Sequence, residues 1–275
     1  MESEAEARRL ADQAVALPVH GHLLTTGLAR GMKALDACCG PGVITAVMAE
    51  VVGSQGSVLA VDANPQRLEE ARAHCAALPQ CSFRQADIRK LDLPGDRFDY
   101  VWSQFVLEYL RDPETALAEL IRVTRPGGRV VISEVDEPGR PIWPCPPDIE
   151  EGFRKFTAAV AAAGLDLQIG RKMFHLFRRA GLEQIRVHLA PLWVVAGEAD
   201  ARLLTDWKQR FATLEPVVAP AFGGVENYRT SCARYLELLS DPDALKYSVL
   251  LITEGRKRDG GSTPRATPAG RTDAG

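Results

Sequence analysis

Residues 35–42, Leu-Asp-Ala-Cys-Cys-Gly-Pro-Gly, and residues 58–62, Val-Leu-Ala-Val-Asp, decide the reading of this chain. An apolar segment runs into an acidic residue and a glycine turn, a helical stretch follows, and a second apolar segment ends in Asp62. That order describes the first βαβ unit of a nucleotide-binding sheet. Gly40 and Gly42 let the backbone turn tightly and approach a ligand with no Cβ in the way. Asp62, closing the second strand, can accept hydrogen bonds from both ribose hydroxyls.

Three residues decide which nucleotide fits. Thr45 stands at the third position of Gly-x-Gly-x-x-Gly and breaks the dinucleotide fingerprint. Pro41 removes an N–H where a pyrophosphate needs donors. Asp36 places a carboxylate beside the loop, which repels a pyrophosphate and suits a cation. S-adenosylmethionine, with an ammonium and a sulfonium next to its ribose, satisfies that charge argument better than NAD.

Outward from this unit, strands and helices alternate at βαβ spacing. Strands are expected at 33–37, 57–62, 81–86, 98–103 and 128–135, and helices at 42–52, 65–77, 104–110 and 112–124. Asn64-Pro65 reads as a capping residue followed by proline in the first helical turn. An Ala/Glu/Arg-rich helix is expected at 3–16 and a short one at 20–29. After residue 136 the regularity breaks. Residues 137–147 hold five prolines and one Trp and read as an ordered loop. Helices follow at 148–163 and 169–180, strands at 182–195 and 245–254, and residues 198–240 read as helical and aromatic-rich. No internal repeat is evident.

Five motifs, in order and at consistent spacing, resemble those of class I S-adenosylmethionine-dependent methyltransferases. Residues 35–42 resemble motif I, with Cys38 in place of its first glycine. Val61-Asp62-Ala63-Asn64-Pro65 with Leu68, Ala71 and Arg72 is similar to the post-I motif, and Gln85-Ala86-Asp87-Ile88 to motif II. Residues 98–110 resemble motif IV, and Arg125-Pro126-Gly127-Gly128-Arg129 the turn before strand five. The resemblance covers 31–136 best. It implies an α/β, Rossmann-like sheet of seven strands, mostly parallel, with helices on both faces and the last strand, 245–254, antiparallel. On this reading 1–30 is an N-terminal helical cap segment and 31–136 the cofactor-binding core. Residues 137–254 complete the same domain, with insertions at 137–165 and 198–240 forming a cap, and 255–275 is a disordered tail.

The resemblance also implies site roles. Gly40 and Gly42 back the methionine part, Asp36 orients its ammonium, and Asp62, with Ala63 beside it, binds the ribose. Asp87 accepts from the adenine amino group while Ile88 packs on the ring. The backbone at Ser103 and Gln104 lies near the methionyl carboxylate. Methyl transfer is an in-line displacement in which alignment supplies much of the catalysis, and a base is needed only for a protonated nucleophile. Candidate bases are His20, His22, Glu108, Tyr109, Glu134, Asp136 and His175. Tyr109 stands where many relatives carry His.

Composition narrows the acceptor. The chain has 275 residues, 46% of them hydrophobic, enough to bury one core, and a net charge of −3. No basic block precedes the tail, so a nucleic-acid substrate is not expected. No apolar run reaches the ~18 residues of a membrane span, and the acidic N-terminus lacks a signal-peptide layout. A cytoplasmic protein is expected, and a homodimer is compatible with the sequence. Ser103-Gln104-Phe105-Val106 replaces the Asn/Asp-Pro-Pro-Tyr/Phe motif of adenine-N6 methylation, and Pro144-Cys145-Pro146 lies too far past strand five for a cytosine nucleophile. The six cysteines form no Cys-x-x-Cys pair and His20-Gly21-His22 has no further ligands nearby, so no metal is expected. The aromatic residues of 143–235 suit a small, largely apolar acceptor, with O-methylation ahead of N and C. Two alternatives stand: a cyclase or regulator that uses the cofactor structurally, and a nicotinamide oxidoreductase, which Asp36 and Pro41 disfavour.

Overall fold

The computed structural model describes residues 18–259. The helix expected at 3–16 and the last sixteen residues lie outside that range. Strands β1 (Lys33–Ala37), β2 (Ser57–Asp62), β3 (Cys81–Gln85), β4 (Phe98–Gln104) and β5 (Thr124–Val135) pair in parallel in the order β3-β2-β1-β4-β5. β1, β2, β4 and β5 are apolar and buried along most of their length, the pattern of strands covered on both faces. The sheet continues through β8 (Leu245–Arg256), antiparallel to β5, and ends on β7 (Glu183–Ala196), which pairs with β8. The antiparallel position of β8 is the one expected for 245–254. An eighth, two-residue strand, β6 (Ile142–Trp143), was not anticipated; it forms inside the proline-rich loop, against Leu245 and Lys246.

Helices cover both faces. On one, α1 (Val19–Thr25) and α2 (Val43–Val52) bury Val19, Leu23, Met48 and Val52 against Tyr100, Trp102 and Val131. On the other, α4 (Pro113–Val123) and α6 (Ile169–Arg179) bury Leu117, Leu120, Met173 and Phe177 against Leu35, Val101 and Ile132. α3 (Pro65–His74) starts as its sequence predicts. The Asn64 carboxamide oxygen accepts from Gln66 N at 2.9 Å, and Pro65 takes the first position, where no N–H is needed. Asp112 and Pro113 repeat the device at α4.

Three further helices, α5 (Pro147–Ala162), α7 (Ala201–Val218) and α8 (Val225–Leu239), pack on one another. They form a layer over the carboxyl ends of the strands. Lys246 of β8 ties the segment before α7 and the end of α8 to the sheet: its buried ammonium donates to the carbonyls of Gly197 at 2.5 Å, Leu239 at 3.0 Å and Asp241 at 2.7 Å. Two expectations are corrected. The helix at 104–110 does not form; β4 runs to Gln104, Phe105 takes a positive φ of 56°, and only a 3₁₀ turn, Leu107–Tyr109, follows. β8 also extends through Arg256, past the expected end at 254. Among the described residues no helix is long and apolar enough to cross a membrane.

Candidate functional site

The loop from β1 to α2 is built on left-handed residues. Cys38 has φ 63°, Gly40 φ 53° and Gly42 φ 84°. Cys38 therefore adopts the conformation that its motif normally assigns to glycine. The Asp62 carboxylate holds the loop open, accepting from Gly40 N at 2.9 Å with one oxygen and from Asn64 N at 2.9 Å with the other. The two glycines do different work. A Cβ at Gly40 would meet nothing within 4 Å, because that position faces a cavity, whereas at Gly42 it would stand 2.9 Å from Cα and Cβ of Ala71. Gly42 thus lets α3 approach the loop and does not line the cavity.

Asp36 is likewise set back. Its buried carboxylate accepts from Thr45 Oγ1 at 2.6 Å, behind the loop. Burial, opposed by the Thr45 hydrogen bond and assisted by the Asp62 charge, pushes its pKa up to about 7. The threonine that breaks the dinucleotide fingerprint is the partner of the carboxylate that argues for a cation.

The next strands complete one wall. Ile88 and Asp87 line the cavity. Arg89 grips the Asp87 carboxylate with Nε at 3.0 Å and a terminal nitrogen at 2.6 Å, which holds that carboxyl below its usual range. Ser103 is buried inside β4 and does not reach the cavity. Gln104 does: it is 8% exposed, and neither its amide oxygen nor its amide nitrogen has a partner.

The cavity, of about 670 Å³, continues from this wall into the helical layer. There it is bounded by Phe153, Phe156, Trp207, Phe211, Tyr228 and Tyr235. Gly139, at φ 81°, makes the junction possible, since a Cβ there would stand 2.3 Å from Trp207 and 2.4 Å from Tyr235 Oη. Glu108 and Tyr109 line the same cavity.

The candidate bases separate. Glu108 and Tyr109 line the cavity; His20 and His175 are exposed away from it. His22 is half-buried near His188, and burial holds its pKa down. Asp136 is committed to Arg171, whose Nε lies 2.6 Å from it. Glu134 is fully buried behind the wall. The neighbour of Asp136, Glu137, lines the cavity instead, bound by Arg140, Gln168 and Arg171 at 2.5–2.7 Å. Glu137, Arg140, Arg67, Arg89 and Arg210 are cavity residues that the motifs do not single out. The density of prolines and aromatics after 136 is the signal that pointed to the region of Glu137, Arg140 and Arg210.

The donor set fits S-adenosylmethionine. Asp62 offers acceptors beside Gly40, whose missing Cβ leaves room for a ligand, and the Gln104 amide has an unused donor and an unused acceptor. Pro41 lines the cavity at the loop, where a pyrophosphate would need an N–H donor that proline lacks.

Comparison with known proteins agrees with this geometry. The family model described as a methyltransferase domain matches residues 28–181. A demethylmenaquinone methyltransferase of Staphylococcus aureus (strain MRSA252) is 37% identical over 117 residues, 42% of this chain and 48% of the relative. The match thus spans about half the length of that curated relative. Among solved structures, a SAM-dependent methyltransferase from Aquifex aeolicus superimposes with a TM-score of 0.55 at 17% identity, covering 92% of this chain and 99% of the other. The (4+2)-cyclase SpnF does so with a TM-score of 0.55 at 18% identity, covering 88% and 81%. These two likenesses are of fold.

Proposed function

Because the chain belongs to the methyltransferase-domain family, we propose that it transfers a methyl group from S-adenosylmethionine to a small, largely apolar acceptor. The observation that carries this reading is the single cavity that joins the Gly40–Asp62 wall to an aromatic chamber. A pocket of that size with a few convergent polar groups suits a cofactor and a metabolite side by side.

When bound, S-adenosylmethionine supplies an electrophilic methyl group on a sulfonium. The chain's own residues bind and align. Asp62 takes the ribose hydroxyls, Ile88 packs on the adenine, and the Gln104 amide meets polar atoms at the junction. The helical layer excludes water and holds the acceptor in line, where effective molarities on the order of 10⁵ M become available. Oxygen is the favoured methyl-receiving atom. Glu108 lines the cavity and offers an acceptor for a hydroxyl proton.

Calorimetric titration with S-adenosylhomocysteine and with NADH tests the cofactor. The expected result is binding of the first alone, and preference for NADH would overturn the reading. Methyl-labelled cofactor with an acceptor panel tests the transfer. Substrate consumed with no label moved would favour a cyclase that uses the cofactor structurally.

A further inference from the structure

The turn that replaces the expected helix after β4 is held by one buried side chain. Glu134 Oε1 accepts from Val106 N at 3.0 Å and from Leu107 N at 2.8 Å, and Oε2 is buried with no partner. Glu108 follows directly, itself buried and lining the cavity. Two acidic side chains therefore share one dry junction with unequal surroundings. Glu134 has no access to solvent, and burial together with the Glu108 charge raises its pKa well above the usual value. Glu134 is sealed behind the turn, and Glu108 is the one of the two that reaches the cavity.

The same cavity is lined by an aromatic cluster whose rings pack tilted and edge to face. Trp207 lies 4.9 Å from Tyr235 and 5.4 Å from Phe211, centroid to centroid, and Phe211 lies 5.7 Å from Tyr235. All three line the same cavity as Glu108. Ring clusters of this kind favour a planar ring system, through area and through stacked or edge-to-face contact.

We infer that Glu108 is the catalytic base and that the acceptor is a planar aromatic hydroxyl compound, laid against Trp207, Phe211 and Tyr235 with its hydroxyl toward the Glu108 carboxylate. The inference rests on the methyltransferase reading above. In the step, the acceptor oxygen forms the new C–O bond, the C–S bond breaks with its electron pair going to sulfur, and the hydroxyl proton passes to Glu108. Glu134 is a positioning residue that fixes the turn.

The test compares wild type with Glu108→Gln on two probes at mildly alkaline pH, 2-naphthol, which is protonated, and 4-nitrophenol, which is largely ionised. Label from methyl-labelled S-adenosylmethionine is counted, and S-adenosylhomocysteine affinity is measured on both proteins. Wild type is expected to label both probes. The variant is expected to keep its S-adenosylhomocysteine affinity and its KM within a few-fold while kcat for 2-naphthol falls about 100-fold; kcat for 4-nitrophenol, which has no proton to give up, falls less than about 3-fold. Equal loss on both probes, or no loss, overturns the role of Glu108. Wild type that binds S-adenosylhomocysteine but labels neither probe overturns the acceptor class and leaves the methyltransferase reading standing. Failure to bind S-adenosylhomocysteine at all overturns that reading itself.

Discussion

Glu134 at the end of β5 accepts the backbone N–H of Leu107 at 2.8 Å, so a side chain takes over hydrogen bonding that a helix would otherwise supply. The arrangement has a pH signature. The folded-state pKa of Glu134 is raised by burial and by Glu108, above its unfolded value. Its contribution to stability is therefore fully present below the ordinary carboxylate pKa and is lost as pH rises toward the folded value. Glu134→Gln keeps an acceptor for Val106 and Leu107 and has no proton to lose. The melting temperature of the variant minus that of wild type should rise as pH climbs above the ordinary carboxylate range. A flat difference would show that Glu134 is ionised in the folded protein.

The two loop glycines should separate in a similar experiment. Gly42→Ala puts a methyl group 2.9 Å from Ala71 at a positive φ, and should cost about 2–3 kcal/mol or more, read from denaturant unfolding. Gly40→Ala meets no protein atom and should cost only about 1 kcal/mol for its left-handed backbone. It should nevertheless weaken S-adenosylhomocysteine at least about tenfold, because its methyl group enters the ligand's space. Intact affinity in a folded Gly40→Ala protein would place the ligand elsewhere in the cavity.

The pattern of legibility follows from the range of the interactions. The parallel core was readable because β1, β2, β4 and β5 are apolar runs closed by turn residues, and because Asn64-Pro65 caps its helix through contacts two and three residues away. The turn after β4 departs from the expected helix because Val106 and Leu107 find their acceptor on Glu134, 28 and 27 residues further on. Local propensity carries no trace of such a partner. The same limit explains Asp136 and Glu137, adjacent carboxylates that differ only in how Arg171, Arg140 and Gln168 reach them. It explains Gly42 as well, whose role depends on Ala71 in the following helix. Asp36 was recognised as unusual, but its partner Thr45 was read only as a missing glycine.

Asp36 provides a second pH test. Its pKa is raised from 3.8 to about 7, chiefly by burial. Folding therefore takes up a proton across that interval, and stability should fall as pH rises through it, by up to about 4 kcal/mol at ~1.4 kcal/mol per unit, then level off above pH 7. Asp36→Asn retains an oxygen for the Thr45 hydroxyl and removes this dependence. Denaturant midpoints for the two proteins should diverge between about pH 4 and pH 7 in favour of the variant and run parallel above that. Parallel midpoints throughout would mean that the carboxylate is charged and compensated within the fold.

Lys246 links the aromatic chamber to the sheet, and its removal should loosen one without unfolding the other. The ammonium is the donor to the carbonyls of Gly197, Leu239 and Asp241, all of them at the base of the helical layer. Lys246→Met fills similar volume but leaves three acceptors unsatisfied, a loss of about 3–5 kcal/mol by the scale of broken buried charge contacts. Because those contacts join 197–241 to β8 and not the parallel strands to one another, the loss should be regional. Amide hydrogen exchange is expected to speed up across α7 and α8 while β1, β2 and β4 keep their protection. S-adenosylhomocysteine affinity, which depends on the strand ends, should change less than about 3-fold, and 2-naphthol affinity in its presence should fall at least about tenfold. Uniform acceleration of exchange over the whole chain would mean that the helical layer and the sheet unfold as one unit.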